Sequence, residues 1–300
     1  MVLYKYRGNS DFTNQIFMNQ KVWLSNASGL NDPFECSLQD IAKEWIEIQD
    51  KKGKQAHLAG FLMEAMNCVK HKQLFFNMKP AQVQSMLDVY KKKSSLTEKY
   101  QKYREFIKKK TGHYPTDILS TISEFDKQLN EVGIFSLSET AVNQLMWSHY
   151  AEESRGIAIG FAVEKNTKLS DANHCLRVNY SDVLPSFSGN GFIAHASFYF
   201  DEYGRPYAKQ KISFNDPTFR LAISTKPTCW AYEKEWRYVE EKSGTYCLPG
   251  QIKEIVFGLR CTLENREKYK SLTEKYIVNP VSFSEIRKVP NSNKIVKVAL

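Results

Sequence analysis

Polar side chains that can bind or react stand next to separate strand-like segments of this chain. Arg7 ends a β-rich stretch at the N-terminus, Ser25 follows a second such stretch, and Glu235 begins another in the C-terminal third. Few structural roles need polar groups at so many strand ends, so we interpret them as the lining of one pocket assembled from distant parts of the chain. An ion pair between Arg7 and a carboxylate such as Asp32 is the structural alternative for the arginine.

Two glutamates lie two positions apart near the C-terminal end of this set, at Glu233 and Glu235. In a strand both side chains would point to the same face. If they are buried there, the like charges raise the pKa of one of them, which is typical of functional sites, although an exposed edge strand has the same spacing. We interpret Trp230, Trp236 and Arg237 as anchors of this strand.

The segment Met146-Trp147-Ser148-His149-Tyr150 predicts a short helix that carries both an aromatic core residue and polar groups. Trp147 is predicted to lie in the core, and His149 and Tyr150 cannot both share its face. In a cleft His149 would hydrogen-bond a ribose or phosphate, or transfer a proton. The alternative is a structural histidine with satisfied hydrogen bonds.

A metal-dependent nuclease site is an alternative source of chemistry. Glu240-x-Lys242 lies on a predicted strand, and Asp216 precedes it at a distance compatible with a D…E-x-K site for Mg²⁺. The segment ends in a turn at Ser243-Gly244, however, and the stronger motifs lie elsewhere. We therefore predict no resident metal site.

The elements that must position these residues indicate an α+β fold with a mixed or antiparallel sheet core. Period-2 and apolar patterns predict strands at 2–6, 21–24, 133–137, 156–161, 176–180, 235–239 and 252–258, with a last strand near Lys297. Helices are predicted at about 11–20 with Asp11 as the N-cap, at 143–151, at 193–203 and at 263–275.

Residues 37–131 have helical periodicity almost throughout, with a helix predicted to begin near Thr116. A basic stretch at 91–110 is interleaved with Tyr90, Tyr100, Tyr103 and Phe106. Cations and aromatic rings at this spacing can bind a nucleic-acid backbone and stack on bases, and a solvated face with inward-turned aromatics is the alternative. We expect one elaborated domain over 1–300, with 37–131 as a mostly helical, basic insertion and 132–300 as the strand-rich part of the core.

Composition limits the class of protein. Of 300 residues, 42% are hydrophobic, which excludes a disordered chain, and the net charge of +9 favours acidic partners such as nucleic acid or phosphorylated cofactors. The six cysteines form no C-x-x-C pair, so we expect reduced thiols and no zinc ribbon. With no signal peptide and no apolar run of about 18 residues, we expect a soluble, cytoplasmic protein with no membrane contact.

The separated motifs occur in an order that resembles domain-of-unknown-function family 2971 (DUF2971), which is widespread in bacteria. The resemblance spans nearly the whole chain outside the helical region and is carried by Leu3-Tyr4-Lys5-Tyr6-Arg7, Leu24-Ser25, Asn31-Asp32-Pro33-Phe34, Phe135-Ser136-Leu137-Ser138, the Met146–Tyr150 segment, Gly156-Ile157 with Gly160-Phe161, Tyr232-Glu233-Lys234-Glu235-Trp236-Arg237, and Gly258. The family name implies no activity, so function must be argued from the site.

The same order is similar to that of ADP-ribosyltransferases. The resemblance implies that Tyr6 and Arg7 bind the phosphates or ribose of NAD, that Ser25 and Tyr150 line the nicotinamide pocket, and that Glu235 is the catalytic acid. The usual serine-threonine-serine run is absent after Ser25, and Ser136 or Ser138 can replace it. Asn31 and His149 are further candidates for binding and catalysis.

We therefore predict an enzyme that transfers ADP-ribose from NAD to a macromolecule, with nucleic acid favoured over protein because of the charge. The resemblance adds the expectation of a toxin or phage-defence effector, a role that leaves room for a partner protein restraining the activity. The alternatives are a non-enzymatic nucleotide-binding sensor or adaptor, and the Mg²⁺-dependent nuclease. The sequence leaves the oligomeric state open.

Overall fold

The computed structural model of the chain describes residues 1–300, apart from the side chain of Pro206. The chain divides into two compact units. The first unit comprises Met1–Leu38, Gln128–Pro185 and Pro217–Leu300, and the second comprises Gln39–Lys127 and Ser186–Asp216. The interpretation of 1–300 as one elaborated domain stays a prediction.

Helices and strands alternate along the first unit, whereas the second is mainly helical. The α-helices are α1 (Asp11–Asn19), α2 (Lys43–Lys70), α3 (Pro80–Lys91), α4 (Leu96–Thr111), α5 (Ile118–Glu131), α6 (Gln144–Tyr150), α7 (Pro217–Ser224) and α8 (Leu263–Tyr276). The strands are β1 (Val2–Arg7), β2 (Lys21–Leu24), β3 (Gly133–Ser138), β4 (Ile157–Ala162), β5 (Cys175–Arg177), β6 (Asn179–Tyr180), β7 (Ala194–Phe200), β8 (Pro206–Ile212), β9 (Thr225–Lys226), β10 (Glu235–Glu240), β11 (Gly244–Cys247), β12 (Ile252–Phe257), β13 (Ser282–Lys288) and β14 (Ile295–Ala299).

An eight-stranded sheet forms the centre of the first unit, in the order β14-β13-β12-β4-β1-β3-β10-β5. Its neighbours pair antiparallel except β12 and β13, which run parallel. The predicted α+β class with a mixed sheet is confirmed. The N-terminal strand β1 lies in the middle of this sheet, so its side chains are surrounded by residues from much later in the chain.

The sheet opens between β1 and β3. Strand β1 pairs with β4 over six positions, from Val2 to Arg7. With β3 it pairs, among the described residues, at one position, where Tyr4 lies opposite Ser138. Farther along β3, the backbone of Ile134 pairs instead with Ser25. The two strands therefore separate towards the Arg7 end of β1, which leaves room for side chains and for a ligand.

Apolar side chains cover both faces of the sheet. Leu3 packs in one cluster with residues of α1, β2 and α8, whereas Tyr4 and Tyr6 point to the other face and pack with Trp147 of α6. This alternation is the period of 2 that strands impose. Trp147 is 1% exposed and donates its indole N–H to the carbonyl of Ala141, so its predicted core position is confirmed.

The helices of the second unit form a separate apolar core. Tyr90, Tyr100 and Tyr103 are buried in it and Phe106 packs against it. These rings are therefore turned inward, as the alternative interpretation of the 91–110 segment expected, and binding of a nucleic-acid backbone by its basic residues stays a prediction. The bases of a nucleic acid cannot stack on buried rings.

The segment predicted as a helix at 193–203 is instead a strand. Strand β7 pairs antiparallel with β8 over seven positions to make a two-stranded hairpin. Ile193, Phe198, Tyr199 and Phe200 have high strand propensity, and the turn that follows contains Gly204 at φ 71°, which a glycine adopts readily. Strands β8, β9, β11 and β13 and helix α7 were not predicted.

The N-cap of α1, the state of the cysteines and the search for a membrane-spanning helix can each be compared with the sequence expectations. The N-cap of α1 is Ser10, whose hydroxyl accepts from the Thr13 amide, rather than Asp11. All six cysteines are free thiols. No helix in the described part of the chain has both the length and the apolarity that a bilayer span requires.

Candidate functional site

A cavity of about 720 Å³ lies in the first unit where β1 and β3 separate. This volume is within the range of small-molecule and cofactor sites. Its lining combines cations from β1 and β2, hydroxyl and amide groups, aromatic rings, and three glutamates: Lys5, Arg7, Lys21, Lys226, Ser10, Ser25, Ser136, Thr245, Gln15, Asn19, Asn31, Tyr4, Tyr6, Phe12, Trp23, Tyr150, Glu35, Glu233 and Glu235.

Most of the site residues predicted from the sequence line this one cavity. They are Tyr6, Arg7, Ser25, Asn31, Tyr150 and Glu235. His149 does not line it; the side chain is exposed on α6, with its ring 6.2 Å from that of Tyr150 and 6.4 Å from that of Tyr232. Ser136 lines the cavity, whereas Ser138 is fully buried and donates its hydroxyl to the Glu233 carbonyl.

A buried ion cluster forms the acidic wall of the cavity and consists of Glu35, Lys226, Glu233, Glu235 and Arg237. Lys226 Nζ contacts one oxygen of each of three carboxylates, at 2.7 Å in Glu233, 3.1 Å in Glu235 and 3.2 Å in Glu35. Its ammonium also lies 4.8 Å from the ring centre of Trp230. One lysine thus holds three acidic side chains together.

Arg237 is the second cation of the buried ion cluster and is completely buried. Its Nε donates to Glu235 Oε1 at 3.0 Å, one Nη donates to the Ile223 carbonyl at 2.7 Å, and the other donates to Glu35 Oε2. With three carboxylates against two cations, the cluster has one negative charge in excess when all its groups are ionised. Arg237 does not line the cavity; it holds two of the lining glutamates from behind and belongs to the strand that it was predicted to anchor.

The cations reverse the pKa shift expected for paired glutamates. Burial opposes ionisation of Glu235, but Arg237 and Lys226 outweigh it and lower the pKa of this carboxyl to about 2. At Glu35 burial dominates and raises the pKa of the carboxyl, although Arg237 and Lys226 act in the opposite direction. Glu235 therefore stays charged at neutral pH, and its predicted catalytic role stays a prediction.

A hydrogen-bonded chain connects the buried ion cluster with the open side of the cavity. Tyr150 donates its hydroxyl to Glu233 Oε1 at 2.6 Å, and Asn31 Nδ2 donates to the Tyr150 oxygen at 3.2 Å. Burial and the hydrogen bond to Glu233 both raise the pKa of Tyr150, so its hydroxyl stays protonated. Neighbouring Asp32 accepts from the Phe34 amide, which makes the Asn-Asp-Pro segment a turn.

Arg7 faces the same cavity without a counter-ion. Its Nε is buried and has no hydrogen-bond partner among the residues that the structure describes, and no ion pair to Arg7 is found there, with Asp32 or any other carboxylate. Burial lowers the pKa of the Arg7 guanidinium. A partly buried cation aimed into a cavity is an anion-binding group.

Lys5 is a second cation at the split in the sheet. Its Nζ donates to the Ser136 carbonyl at 2.9 Å and lies 4.6 Å from the ring centre of Phe135. Burial lowers the pKa of Lys5 to about 7, and the charge of Arg7 acts in the same direction. Unlike Lys226, Lys5 makes no direct contact with a carboxylate among the described residues, so it can bind an anion when protonated or accept a proton when neutral.

The position of Arg7 depends on a close approach of two backbones. A Cβ added at Gly156 would lie 2.0 Å from the Arg7 carbonyl oxygen, so a larger residue cannot occupy this place without moving β1 or β4. The glycine of the Gly156-Ile157 motif thus keeps the end of β1 against its neighbour.

The lining also includes exposed aromatic rings. Phe12 on α1 and Trp23 on β2 are 78% and 59% exposed, and both contribute to the cavity together with Lys21. The lining therefore has three chemical parts: aromatic rings, free cations and a buried anionic wall.

The model of the family described as "Protein of unknown function (DUF2971)" matches residues 146–238. The resemblance to DUF2971 is confirmed there. No curated protein and no solved structure matches the chain, so the likeness to ADP-ribosyltransferases has no support from comparison.

The matched DUF2971 segment contains one wall of the cavity. Tyr150, Lys226, Glu233, Glu235 and Arg237 all lie within it. The cationic side of the cavity lies outside the match, in the first 38 residues of the chain.

Three site residues were not predicted from the sequence: Lys5, Glu35 and Lys226. Lys5 lies in the motif that ends in Arg7, and Glu35 directly follows the motif that begins at Asn31. Their positions in or beside these motifs are the sequence signal that could have identified them. Lys226 is a single lysine after a threonine and carries no pattern. Its importance appears only when β9 is placed beside Glu233.

The carboxylates of the alternative nuclease site are engaged elsewhere. Asp216 belongs to the second unit and accepts from the Ile193 amide. Glu240 belongs to the first unit, accepts from the Tyr238 hydroxyl and pairs with Lys168 at 3.0 Å, and Lys242 is exposed. Among the described residues no group of three or more His, Cys, Asp or Glu side chains is arranged to hold a metal ion.

Proposed function

We propose that the cavity binds NAD and that the protein transfers ADP-ribose from it to a macromolecule. The observation that carries this proposal is the convergence of Arg7, Ser25 and Glu235, from three distant segments, on one cavity whose lining contains both a free cation and a buried anionic wall. NAD has the matching charge distribution, with an anionic pyrophosphate and a cationic nicotinamide ring.

In this proposal the pyrophosphate binds Arg7 and protonated Lys5, because a guanidinium matches phosphate oxygens in a bidentate geometry. The nicotinamide riboside lies against Tyr150, Ser25 and the glutamates. The adenine end lies near the exposed ring of Trp23, which offers a stacking surface.

The reaction breaks the bond between ribose C1′ and the nicotinamide nitrogen, and the electron pair leaves with neutral nicotinamide. The positive charge that develops on the ribose is stabilised by the fixed carboxylates of Glu233 and Glu235. A nucleophile of the acceptor then bonds to C1′ and loses a proton. That proton passes to solvent, because Lys5 is already protonated when it binds the pyrophosphate.

A binding function without turnover is the second candidate. It is favoured by the saturation of the acidic wall, since each of the three glutamates already contacts Lys226 and at least one further donor. Catalysis requires one carboxylate to face the ribose, whereas a nucleotide sensor requires only the cationic side and the shape of the cavity.

Nucleic acid is the proposed acceptor because of charge. The second unit holds 20 basic and 14 acidic residues and so carries +6 of the chain's net +9. A toxin or phage-defence role, with a partner that restrains the activity, stays an expectation from the family resemblance.

The test is release of nicotinamide from labelled NAD, with cell lysate or nucleic acid added, comparing the wild type with Tyr150→Phe and Glu235→Gln. We expect label on a macromolecule with the wild type and its loss in both variants. Tyr150→Phe removes one hydroxyl and leaves the five charges of the cluster in place, so it controls for misfolding of Glu235→Gln.

Calorimetry with NAD separates the two candidates. Binding without nicotinamide release identifies a sensor and excludes the transferase. If the protein neither binds NAD nor releases nicotinamide from it, both functions are refuted.

A further inference from the structure

The solvent-exposed face of β2 forms one side of the cavity. Lys21 and Trp23 lie two positions apart on this strand, and both line the cavity. The intervening Val22 and the following Leu24 are buried in the core. This is the alternation of a strand, so the ammonium and the indole ring share one face. Thr245 of β11 lies opposite Trp23 in the register and adds a hydroxyl to the same lining.

Lys21 is a third cation of the lining that no carboxylate neutralises. Its ammonium has no ion pair and no hydrogen bond with the residues that the structure describes. Arg7 and Lys5 also lack a carboxylate partner there, whereas Lys226 is held by three glutamates. The pyrophosphate that we propose for this cavity has two negative charges, which Arg7 and Lys5 match. Lys21 is thus left for a further anionic group of the ligand.

No acidic residue of α1 or β2 lines this side of the cavity. Helix α1 contributes Phe12, Gln15, Ile16 and Asn19, and all the carboxylates among the described lining residues belong to the buried ion cluster. In dinucleotide-binding folds an acidic side chain that bonds the ribose 2′-hydroxyl selects NAD, and a cation nearby accommodates the 2′-phosphate of NADP. The composition next to Trp23 therefore suits a phosphorylated ribose.

The position of Lys21 relative to Trp23 suits a phosphate on the ribose of a stacked adenine. Residues two apart on a strand lie about 6.8 Å apart, and the flexible four-carbon stem of a lysine lets its ammonium cover that distance. The ribose is bonded directly to the adenine, so a base on the indole ring brings the ribose 2′-oxygen close to the same strand. Lys21 is exposed, so its ammonium can meet a phosphate without moving the core.

We propose that the cavity selects a dinucleotide with a phosphate on the 2′-oxygen of its adenosine ribose, as in NADP, and that Lys21 is the residue that selects it. This inference rests on the proposed function, because it takes the adenine of the dinucleotide to lie against Trp23. Arg7 and Lys5 bind the pyrophosphate of either dinucleotide. Lys21 meets a group that only the phosphorylated one carries, so it sets the preference between the two.

The test is calorimetry with NADP and with NAD on the wild type, Lys21→Gln and Lys21→Arg. We expect the wild type to bind NADP about tenfold more tightly than NAD, the lower end for a hydrogen bond between charged groups because Lys21 is exposed. Lys21→Gln should lose this preference by binding NADP more weakly, and Lys21→Arg should retain it. The preference should also shrink as the salt concentration is raised.

The matched control is Lys288→Gln, which changes an exposed strand lysine of the first unit that lies outside the lining. It should keep the tenfold preference. Equal binding of NADP and NAD by the wild type overturns this inference alone and leaves the proposed function standing, as does a preference that persists in Lys21→Gln. If neither dinucleotide binds, both this inference and the proposed function are overturned.

Discussion

Replacing Arg7 by methionine should stabilise the free protein and weaken its binding of NAD. The guanidinium has a buried Nε without a partner, and a buried donor left unsatisfied costs about 1–3 kcal/mol. Because the side chain as a whole is only half-buried, we expect the lower end, about 1 kcal/mol. For a chain of this size that corresponds to an increase in Tm of roughly 2 °C.

The same change removes the anion-binding group that we propose for the pyrophosphate. A hydrogen bond to a charged group contributes about 1.5–3 kcal/mol, and a bidentate contact makes two of them. A loss of about 3 kcal/mol weakens the affinity for NAD roughly 100-fold.

These two effects predict an inversion of stability when NAD is added. At a NAD concentration 100 times the wild-type Kd, binding stabilises the wild type by about 2.7 kcal/mol. At that concentration the variant is half-saturated and gains about 0.4 kcal/mol. The variant should therefore be more stable by about 1 kcal/mol without NAD and less stable by about 1.3 kcal/mol with it.

Denaturant titrations with and without NAD, combined with calorimetry, measure both quantities. Arg260→Met, which replaces a well-exposed arginine far along the chain, is the control and should change neither. A variant that unfolds more easily than the wild type and still binds NAD with unchanged affinity would refute the assignment of Arg7 as a free anion-binding cation.

Further predictions concern the cations and carboxylates of the same site. Lys226→Met leaves three buried carboxylates short of a partner and should reduce the free energy of unfolding by about 3–5 kcal/mol in denaturant titrations at pH 7; a loss below 1 kcal/mol would contradict the cluster. Because the pKa of Glu235 is lowered in the folded state to about 2, its contribution to stability is present above its ordinary pKa and is lost as the pH falls from about 4.5 to 2. In an acid titration the free energy of unfolding of Glu235→Gln should fall less steeply than that of the wild type over this pH range. Parallel curves for the two proteins would contradict the lowered pKa of Glu235. Since Lys5 loses its proton near pH 7, NAD affinity by calorimetry should fall as the pH rises through 7, and Lys5→Met should abolish that dependence; a pH profile unchanged by the substitution would exclude Lys5. Gly156→Ala should destabilise the fold by about 1–3 kcal/mol and weaken NAD binding, because its Cβ would overlap the Arg7 carbonyl; unchanged thermal unfolding would show that the strands can move apart.

The strands of the central sheet were predictable because their sequences alternate or are apolar throughout. Strands β1, β3, β4 and β10 all lie where the pattern indicated, and the short helix around Trp147 follows from its spacing. Strand β7 was predicted wrongly as a helix, and β8 was not predicted. Strand β7 has no buried residue, so its sequence shows no period of 2.

The site was predictable only in part. Arg7, Ser25 and Glu235 were found as polar residues at strand ends, and they line one cavity. Lys226 and Glu35 were not found, because a single charged residue has no periodic signal. The partners of Glu35 lie about 200 residues away, and those of Lys226 include Glu233 and Glu235, seven and nine positions later, which no periodic pattern connects to it.

That separation along the chain has a consequence for biosynthesis. Glu35 and Arg237 are 202 positions apart, and Lys226 lies only a few positions before Arg237. At a translation rate of 5–20 residues per second, a nascent chain exposes Glu35 for roughly 10–40 s before either cation has been made. The acidic wall cannot assemble during that time, so a ribosome that stalls before residue 226 releases a fragment without a functional cavity. Any activity of this site therefore begins only after Arg237 has been synthesised.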